Sequence, residues 1–513
     1  MSDIERRSPS GVAPVSARAG VAALEGPRLA KAVGVAAVLA SGVSQEYGSG
    51  INFVMVNGLG SYPKVAWLVP AAIVTAGLLM IPKVGLFARL SQVAPRAGSS
   101  YVWLSRTTTL PVGFVVAFVW FVGIVAAMGF LAFATGTFLA STLEALHLPG
   151  QWAVTPGGHI IVGSLAIIVI LALHYSGVRN YGSFIFLMFC IVLAATLLAA
   201  IYGFSTSQGT FLRELSRILG NAPAAPADQT PSLSAFISVI GLFIFLYGGL
   251  TGATSLGGEA RDASRTMPRG IILSWFSALV LYAIVATALF HAVPWWTVQP
   301  LIKSHHSELA TMPGLIGLVA PGAVGALINV LVFIIVVKTI APQLQDSSRY
   351  LFAWAQDGLL PRAFLHTARS KAPDLALVVS ALLGFLFLLE ASLIGWSVGV
   401  SIRSATIVLV FGFLGAGAVN VWFNRQFAGA AWAQELRRHV DFIVFGILAV
   451  VVAIAALVAV FQPTPRLAWY FQPSFQSLVA AVLGALVYLY ARSRAVRENV
   501  DLAARARAQL PAE

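Results

Sequence analysis

Charged residues are scarce in this chain of 513 residues, at 10% of the total, whereas apolar residues make up 58%. A soluble globular domain has about 25% charged residues. The composition therefore excludes an ordinary soluble protein and predicts an integral membrane protein with many spans.

Cysteine is almost absent, since Cys190 is the only one. A single cysteine excludes a disulfide within the chain and a cysteine-based metal site. The first 25 residues lack a short apolar core, so no cleavable signal peptide is expected. A nucleotide-binding motif and a nucleophile next to a base are also lacking. We therefore expect neither ATP-driven transport nor an enzyme, and no metal or cofactor.

Apolar runs are abundant, and twelve of them approach the length of about 20 residues that a membrane-spanning helix needs. They cover residues 31–56, 65–81, 111–140, 159–176, 182–203, 232–257, 270–293, 321–354, 375–394, 402–424, 440–461 and 473–491. The sequence thus predicts an all-α membrane protein with twelve transmembrane helices.

The net charge of +13 raises the question of nucleic acid, and the placement of the basic residues answers it. If the N-terminus is cytoplasmic, 25 of the 32 lysines and arginines fall in inner segments and six in outer ones, while Lys338 falls inside a span. This asymmetry follows the positive-inside rule. We therefore expect both termini in the cytoplasm, a location in the plasma (inner) membrane, contact with lipid and no nucleic-acid partner.

Two apolar runs are interrupted by glycines, near 48–50 in the first run and near 247–252 in the sixth. Glycine also lets membrane helices pack closely, so either cluster alone has a purely structural interpretation. The two clusters are five runs apart, as in transporters built from two inverted repeats with broken helices at the binding site. Exposed backbone groups at such breaks are tolerated where they face a cavity or a ligand.

Four segments resemble motifs of the amino acid–polyamine–organocation (APC) superfamily of secondary transporters. Gly48–Ile51 is similar to the superfamily's break in the first span, and Ala94–Tyr101 to its Pro-x-x-Gly-Gly-x-Tyr loop. Phe245–Arg269 is similar to its aromatic-glycine break with the following Glu-Glu-x-Lys-x-Pro, and Ser348–Pro361 to its Ser-Arg... Arg-Asp-Gly-Leu-Leu-Pro signature.

The resemblance implies a LeuT-like fold of 5+5 inverted repeats, about 31–203 and 232–424, with discontinuous helices 1 and 6. The transport core is then 31–424 and spans 11 and 12 lie in 425–491. The predicted cytoplasmic tails are 1–30, which we expect to be disordered, and 492–513.

The resemblance also implies site residues. The substrate carboxylate is expected at the backbone of Ser49 and Gly50, and its amino group at the carbonyls near Tyr47 and of residues 245–248. Phe245 is the expected aromatic gate, and Glu259 and Arg349 are expected inner-gate charges, unless they only cap helix ends. Trp120 either lines the pocket or packs. The residues assigned to substrate binding are Tyr47, Gly48, Ser49, Gly50, Trp120, Phe245, Tyr247, Gly248 and Gly249.

Two lone opposite charges, Glu46 and Lys338, lie inside predicted spans. An unpaired charge in a low dielectric is costly, so we expect the two to lie close together or to share a polar cavity. In one interpretation the Lys338 ammonium fills a cation site, with Glu46 or a backbone carbonyl as partner, and its protonation couples to transport. In a second the pair is a static staple. In a third Glu46 binds the amine of a cationic substrate.

The superfamily's usual coupling positions are altered, because Val192 stands where some proton-coupled members have a lysine and Thr251 where many members have an acid. The function predicted from the sequence is a permease that moves an amino acid by alternating access, coupled to protons or to exchange. The alternatives are an organic amine or polyamine transporter and, less in keeping with the sequence, a non-transporting amino acid receptor.

Overall fold

The computed structural model describes residues 33–504 except Ala97, Gly177, Ala222, His305, Lys371 and 464–466, and only the backbone of 178–181. The predicted tail 1–30 and residues 505–513 of the predicted C-terminal tail lie outside the described residues. Within this part of the chain the structure is helical and contains no β-strand.

Eleven helices belong to the first half of the chain as far as the structure describes it. They are α1 (Val35–Glu46), α2 (Met55–Ser61), α3 (Val69–Leu79), α4 (Ile81–Val93), α5 (Ser99–Thr107), α6 (Leu110–Ala145), α7 (Pro156–Tyr175), α8 (Val178–Ser205), α9 (Gln208–Leu219), α10 (Leu233–Phe243) and α11 (Leu250–Thr254).

Nine helices follow in the second half. They are α12 (Ala263–Ala292), α13 (Val298–Ile302), α14 (Met312–Gly317), α15 (Gly322–Gln356), α16 (Asp374–Leu393), α17 (Ser397–Phe423), α18 (Ala431–Arg437), α19 (Val440–Val460) and α20 (Pro473–Arg497). The longest of these, α15, packs with α6 at the centre of the molecule, and α16 and α17 also pack against α6.

Eleven helical segments of the described chain are long and apolar enough to cross a membrane. They correspond to eleven of the twelve predicted runs, and the exception is the first run, 31–56. On α7, Ile161, Leu165, Ile168 and Val169 form one stripe at helical spacing, each 57–61% exposed. An apolar stripe of this kind on the outer surface suits contact with lipid chains. The protein is an integral, multi-pass membrane protein.

The first run is divided because the helix stops at Glu46. Tyr47 has extended backbone angles (φ −80°, ψ 94°), and the chain resumes as a π-helical turn over Gly50–Val54 before α2. The interruption predicted near residues 48–50 is therefore present, and neither half is long enough to span a membrane by itself.

The second predicted interruption lies between α10 and α11. There the chain tightens into a 3₁₀ turn over Ile244–Tyr247 and leaves regular helix at Gly248 and Gly249. After α11 another 3₁₀ turn runs over Ser255–Glu259. The described chain begins beside this turn, since Val33 N–H donates to the Glu259 carbonyl (3.0 Å) and Arg261 N–H to the Val33 carbonyl (2.9 Å).

Candidate functional site

The two helix interruptions lie directly against each other. A Cβ atom added to Gly249 would fall 2.5 Å from the Glu46 nitrogen, and one added to Gly50 would fall 3.1 Å from Leu246 Cγ. Real Cβ atoms do not approach other atoms as closely as the first of these distances. Only glycine at 249 therefore allows the end of α1 to touch the turn before α11.

A cavity opens where the interruptions meet. The first interruption contributes Gln45, Glu46, Ser49 and Gly50, and the second contributes Phe245, Gly248 and Gly249. The remaining wall comes from α6, α15 and α17 and consists of Leu131, Thr339, Gln343 and Arg403. Six of the predicted site residues therefore line one cavity: Glu46, Ser49, Gly50, Phe245, Gly248 and Gly249.

Tyr47 and Tyr247 turn their side chains away from this cavity. The Tyr47 hydroxyl accepts a hydrogen bond from Thr196 Oγ1 (2.8 Å), and the Tyr247 hydroxyl donates to the Ile73 carbonyl (3.1 Å). Both rings pack on Tyr282, with centroids 5.6 and 5.2 Å apart. The Gly48 backbone packs directly against Thr339 of α15, and a Cβ atom added to Gly48 would collide with the Thr339 side chain. Tyr47, Gly48 and Tyr247 therefore pack the interruptions against neighbouring helices and do not line the cavity.

Lys338 reaches from α15 to the end of α1. Its Nζ donates to the Ser44 carbonyl (2.7 Å) and the Tyr47 carbonyl (2.9 Å), which the interruption leaves without helical partners. Of the two partners considered from the sequence, it is thus the backbone that holds this ammonium. Lys338 is 1% exposed.

Glu46 is buried, 3% exposed, and neither carboxylate oxygen has a hydrogen-bond partner among the described residues. Lys338 does not supply one, although it binds the carbonyls on either side of Glu46 in the sequence. Lys83 of α4 is close enough to act on Glu46 electrostatically. The carboxylate thus faces the cavity without a bonded counter-ion.

Lys83 was counted among the 25 inner basic residues and Arg403 among the six outer ones, but both are buried among the helices. Each side chain is 1% exposed. Lys83 Nζ donates to the Tyr247 carbonyl (3.1 Å), and Arg403 Nη2 donates to the Gly248 carbonyl (3.2 Å). Removing one residue from each side leaves 24 inner against five outer basic residues, so the charge asymmetry stands.

The signal that could have located these two residues is their apolar flanks. Lys83 follows Met80-Ile-Pro82, and Arg403 follows Gly399-Val-Ser-Ile402. The predicted spans ended at 81 and began at 402, so each charge fell at the edge of an apolar window. A long basic side chain at a span end ordinarily extends to the membrane surface. Here each one instead reaches inward to a carbonyl of the second interruption.

Trp120 of α6 lies next to both Lys83 and Arg403. Its ring is 4.1 Å from the Arg403 guanidinium carbon and 5.8 Å from Lys83 Nζ, both suited to cation–π contact. Trp120 is not among the residues that line the cavity. It supports the cations that hold the interrupted helix.

Polar side chains also tie α1 and α15 to α11. Gln45 Nε2 donates to Gln343 Oε1 (3.1 Å), and Gln45 Oε1 accepts from Gly252 N–H. Asp346, one helical turn after Gln343, is fully buried and close enough to Arg403 and Lys83 to interact electrostatically. It lay within a predicted span but was not singled out from the sequence.

Two further contacts involve the residues that were expected to gate the site, and they are called the closures. Toward the end where the described chain begins, Arg349 Nη2 lies 2.9 Å from Glu259 Oε1, with both side chains buried. Toward the other end, the Phe245 ring packs edge-on against Phe130, with centroids 5.5 Å apart. Phe130 in turn contacts Phe53 and Trp396. The first contact joins the 3₁₀ turn after α11 to α15, and the second joins the second interruption to α6.

Known proteins resemble this chain in the same region. A family model described as amino acid permease matches residues 33–486. The branched-chain amino acid permease of Lactococcus lactis subsp. cremoris is 26% identical over 335 residues, 59% of this chain and 66% of the relative. The lysine-specific permease of Escherichia coli K12 is 24% identical over 262 residues, 49% of this chain and 52% of the relative.

The D-serine/D-alanine/glycine transporter of Escherichia coli K12 is 25% identical over 150 residues, 29% of this chain and 30% of the relative. The aligned stretches thus span less than two thirds of each of these relatives. The family match is broader and includes both interruptions, the cavity between them and the two closures. The chain belongs to the amino acid permease family, within the amino acid–polyamine–organocation superfamily whose motifs it carries.

Proposed function

We propose that this protein is a secondary active transporter that moves an amino acid across the cytoplasmic membrane by alternating access. The observation that carries the proposal is the cavity between two facing helix interruptions, which contains buried polar atoms without partners on Glu46, Ser49 and Arg403. Buried polar groups are costly unless something bonds to them. A polar substrate enclosed in the cavity supplies those bonds.

The proposal includes twelve spans arranged as two inverted repeats. α1 and α2, with the turn between them, form the first span, and the eleven long segments are the others. The interrupted spans are then the first and the sixth, which is the arrangement of transporters whose discontinuous helices build the substrate site. α19 and α20 lie outside the repeats.

Lys338 is the proposed coupling residue. Its ammonium occupies the position between α1 and α15 where a bound cation would otherwise satisfy the carbonyls of Ser44 and Tyr47. Loss of its proton removes the charge that holds α15 to the interruption, so protonation biases the equilibrium between conformations. Proton coupling and exchange are both compatible with such a device.

The closures are the proposed gates. Separation of Glu259 from Arg349 opens the end where the described chain begins, and movement of Phe245 away from Phe130 opens the other end. In the present arrangement both contacts are formed, and the cavity has room for about one water molecule. Substrate binding therefore requires one closure to relax, as alternating access demands.

The decisive experiment is uptake of radiolabelled amino acids into proteoliposomes, with and without an inward proton gradient and with and without amino acid inside. Saturable uptake that responds to the gradient or to internal substrate supports transport. Stable binding of amino acids without any flux under all four conditions would contradict the proposal and favour the receptor alternative.

An organic amine or polyamine carrier is the second candidate, and the unpartnered Glu46 carboxylate is the observation that favours it. The same liposomes answer this question when radiolabelled decarboxylated amines replace the radiolabelled amino acids in the uptake measurement. Uptake of amines but not of amino acids would replace the first candidate by the second.

A further inference from the structure

The backbone acceptors at the interruptions are already used by the protein. The Tyr47 carbonyl accepts from Lys338 (2.9 Å), the Tyr247 carbonyl from Lys83 (3.1 Å) and the Gly248 carbonyl from Arg403 (3.2 Å). Five carbonyls were expected to receive the substrate amino group, and the remaining two, of Leu246 and Phe245, accept from neutral donors. Leu246 O accepts from the Tyr282 hydroxyl (3.0 Å), and Phe245 O accepts from the Gly248 N–H (3.2 Å).

A carbonyl oxygen has two lone pairs, so one bond does not by itself exclude a second. Three of these carbonyls, however, hold a lysine or an arginine. A substrate ammonium on the same oxygen would lie next to a like charge in a region from which water is largely excluded, where electrostatic repulsion is strong. These three carbonyls are therefore poor acceptors for the amino group of a substrate.

Glu46 offers the substrate amino group an acceptor of opposite charge in the cavity. Both of its carboxylate oxygens lack partners among the described residues, the side chain is 3% exposed, and it lines the cavity. A buried carboxylate without a bonded counter-charge is strongly destabilising. An ammonium group in the cavity provides the missing hydrogen bonds and the missing charge.

Arg403 offers the opposite group in the same cavity. Its guanidinium is held in place by the Gly248 carbonyl and by the Trp120 ring, yet Nη1 has no hydrogen-bond partner among the described residues. A guanidinium presents its N–H groups in a fixed fork that suits carboxylates. The unpartnered Ser49 hydroxyl lines the same space.

We propose that this cavity recognises a zwitterion by two side chains, with Glu46 receiving the substrate ammonium and Arg403 receiving its carboxylate. This inference rests on the proposed function and refines it. The substrate is then expected to carry both charges, because a ligand that lacks either one leaves Glu46 or Arg403 without a hydrogen-bonded counter-charge.

The test is the dissociation constant of the purified protein for three matched ligands, measured by ligand-induced thermal stabilisation. The ligands are the L-amino acid that stabilises the wild-type protein most in a panel, its decarboxylated amine and its deaminated carboxylic acid. The wild-type protein is expected to bind the amino acid at least about tenfold more tightly than either analogue, because each forms only one charged contact.

Glu46→Gln is expected to bind the amino acid and the deaminated acid about equally, because the ammonium no longer meets a carboxylate. Arg403→Gln is expected to bind the amino acid and the amine about equally. The matched controls are Glu390→Gln and Arg213→Gln, which lie outside the cavity and should keep the wild-type preferences. If the glutamine variants do not fold, Glu46→Asp and Arg403→Lys keep the charges but shift them, and weaker amino acid binding is expected from each.

A Glu46→Gln protein that keeps the wild-type preference for the amino acid over the deaminated acid would overturn the role of Glu46. An Arg403→Gln protein that keeps the preference over the amine would overturn the role of Arg403. Unchanged affinity in Glu46→Asp or Arg403→Lys counts against the corresponding contact in the same way. If the wild-type protein binds no amino acid at all, the proposed function fails instead.

Discussion

Three buried cations, Lys83, Lys338 and Arg403, each donate to a carbonyl that a helix interruption has freed. A carbonyl without a partner in a membrane interior is costly, and a charged donor compensates it more strongly than a neutral one. The sequence thus supplies covalently attached donors to carbonyls that would otherwise need a bound cation or another donor. Each of these donors is a single residue whose removal has a measurable effect.

Lys338→Met should lower the uptake rate at least about tenfold and remove its dependence on pH. Methionine has a similar length and no charge, so the Ser44 and Tyr47 carbonyls lose their donor while the packing is largely kept. The measurement is initial uptake into proteoliposomes between pH 5 and 8. Lys303→Met is the control, because Lys303 is exposed. Unchanged rate and pH profile would exclude Lys338 from coupling.

Lys83→Met should reduce the stability of the protein by about 1–3 kcal/mol, because the Tyr247 carbonyl is left buried without its donor. Lys83 also acts on Glu46 electrostatically. Glu46→Gln should therefore be less destabilising in the Lys83→Met background than in the wild-type protein. Thermal unfolding of the four proteins gives this coupling as a double-mutant cycle. Strict additivity would show that the two charges do not support each other.

At the scale of helices, the site depends on how closely the interrupted segments approach one another. Gly249 allows contact with the backbone at Glu46, and Gly48 allows contact with Thr339 on α15. Side chains at these positions would separate α11 from α1, or α1 from α15. The interruptions are therefore defined by packing as much as by local backbone freedom.

Gly249→Ala should abolish amino acid binding or reduce uptake at least about tenfold. The added Cβ would lie 2.5 Å from the Glu46 nitrogen and 2.7 Å from the Gln45 carbonyl carbon, and backbone atoms cannot move aside as a flexible side chain does. Gly157→Ala is the control, since no atom lies within 4 Å of the added carbon. Normal uptake by Gly249→Ala would mean that the two interruptions need not touch.

The ion pair between Glu259 and Arg349 links the 3₁₀ turn after α11 to α15. Arg349→Gln should destabilise the protein by about 3–5 kcal/mol, because it leaves a buried carboxylate without its counter-charge. The double variant Glu259→Gln, Arg349→Gln should recover much of that loss while weakening the closure. Thermal unfolding midpoints measure the first effect.

The second effect is measured in a Cys190→Ser background, which removes the single native cysteine. Ser255→Cys is the probe, because Ser255 is buried and shares the 3₁₀ turn with Glu259. Its thiol should react faster with a thiol reagent in the double variant than in the parent. Equal reaction rates would show that the ion pair does not gate access.

At the scale of the whole molecule, the distribution of basic residues predicts orientation. The corrected count of 24 against five strongly favours cytoplasmic termini. In a Cys190→Ser background, Gln229→Cys should be labelled by a membrane-impermeant maleimide in intact cells. Gly429→Cys should be labelled only after the cells are permeabilised. Both positions are exposed in the structure. The reverse pattern would invert the topology.

Much of the architecture followed from the chain itself. Apolar runs and the spacing of glycine clusters predicted twelve spans and two interruptions, because these are local properties of consecutive residues. Eleven of the twelve are long apolar helices in the described chain. The motifs also identified the family before any contact was known. Five residues assigned to the site from those motifs do line one cavity, among them Ser49, Phe245 and Gly248, and so does Glu46, which was singled out as a lone charge.

The destination of each buried charge was decided only by tertiary structure. Lys83 lies 164 positions from its acceptor at Tyr247, and Arg403 lies 155 positions from its acceptor at Gly248. A sequence window shows that a charge borders an apolar run but not whether it extends to the membrane surface or turns inward. That choice depends on which carbonyls the folded interruptions expose, and these come from distant parts of the chain. For the same reason, the sequence left open whether Glu46 or a backbone carbonyl is the partner of Lys338. In the folded protein two backbone carbonyls accept from the lysine, and the Glu46 carboxylate faces the cavity.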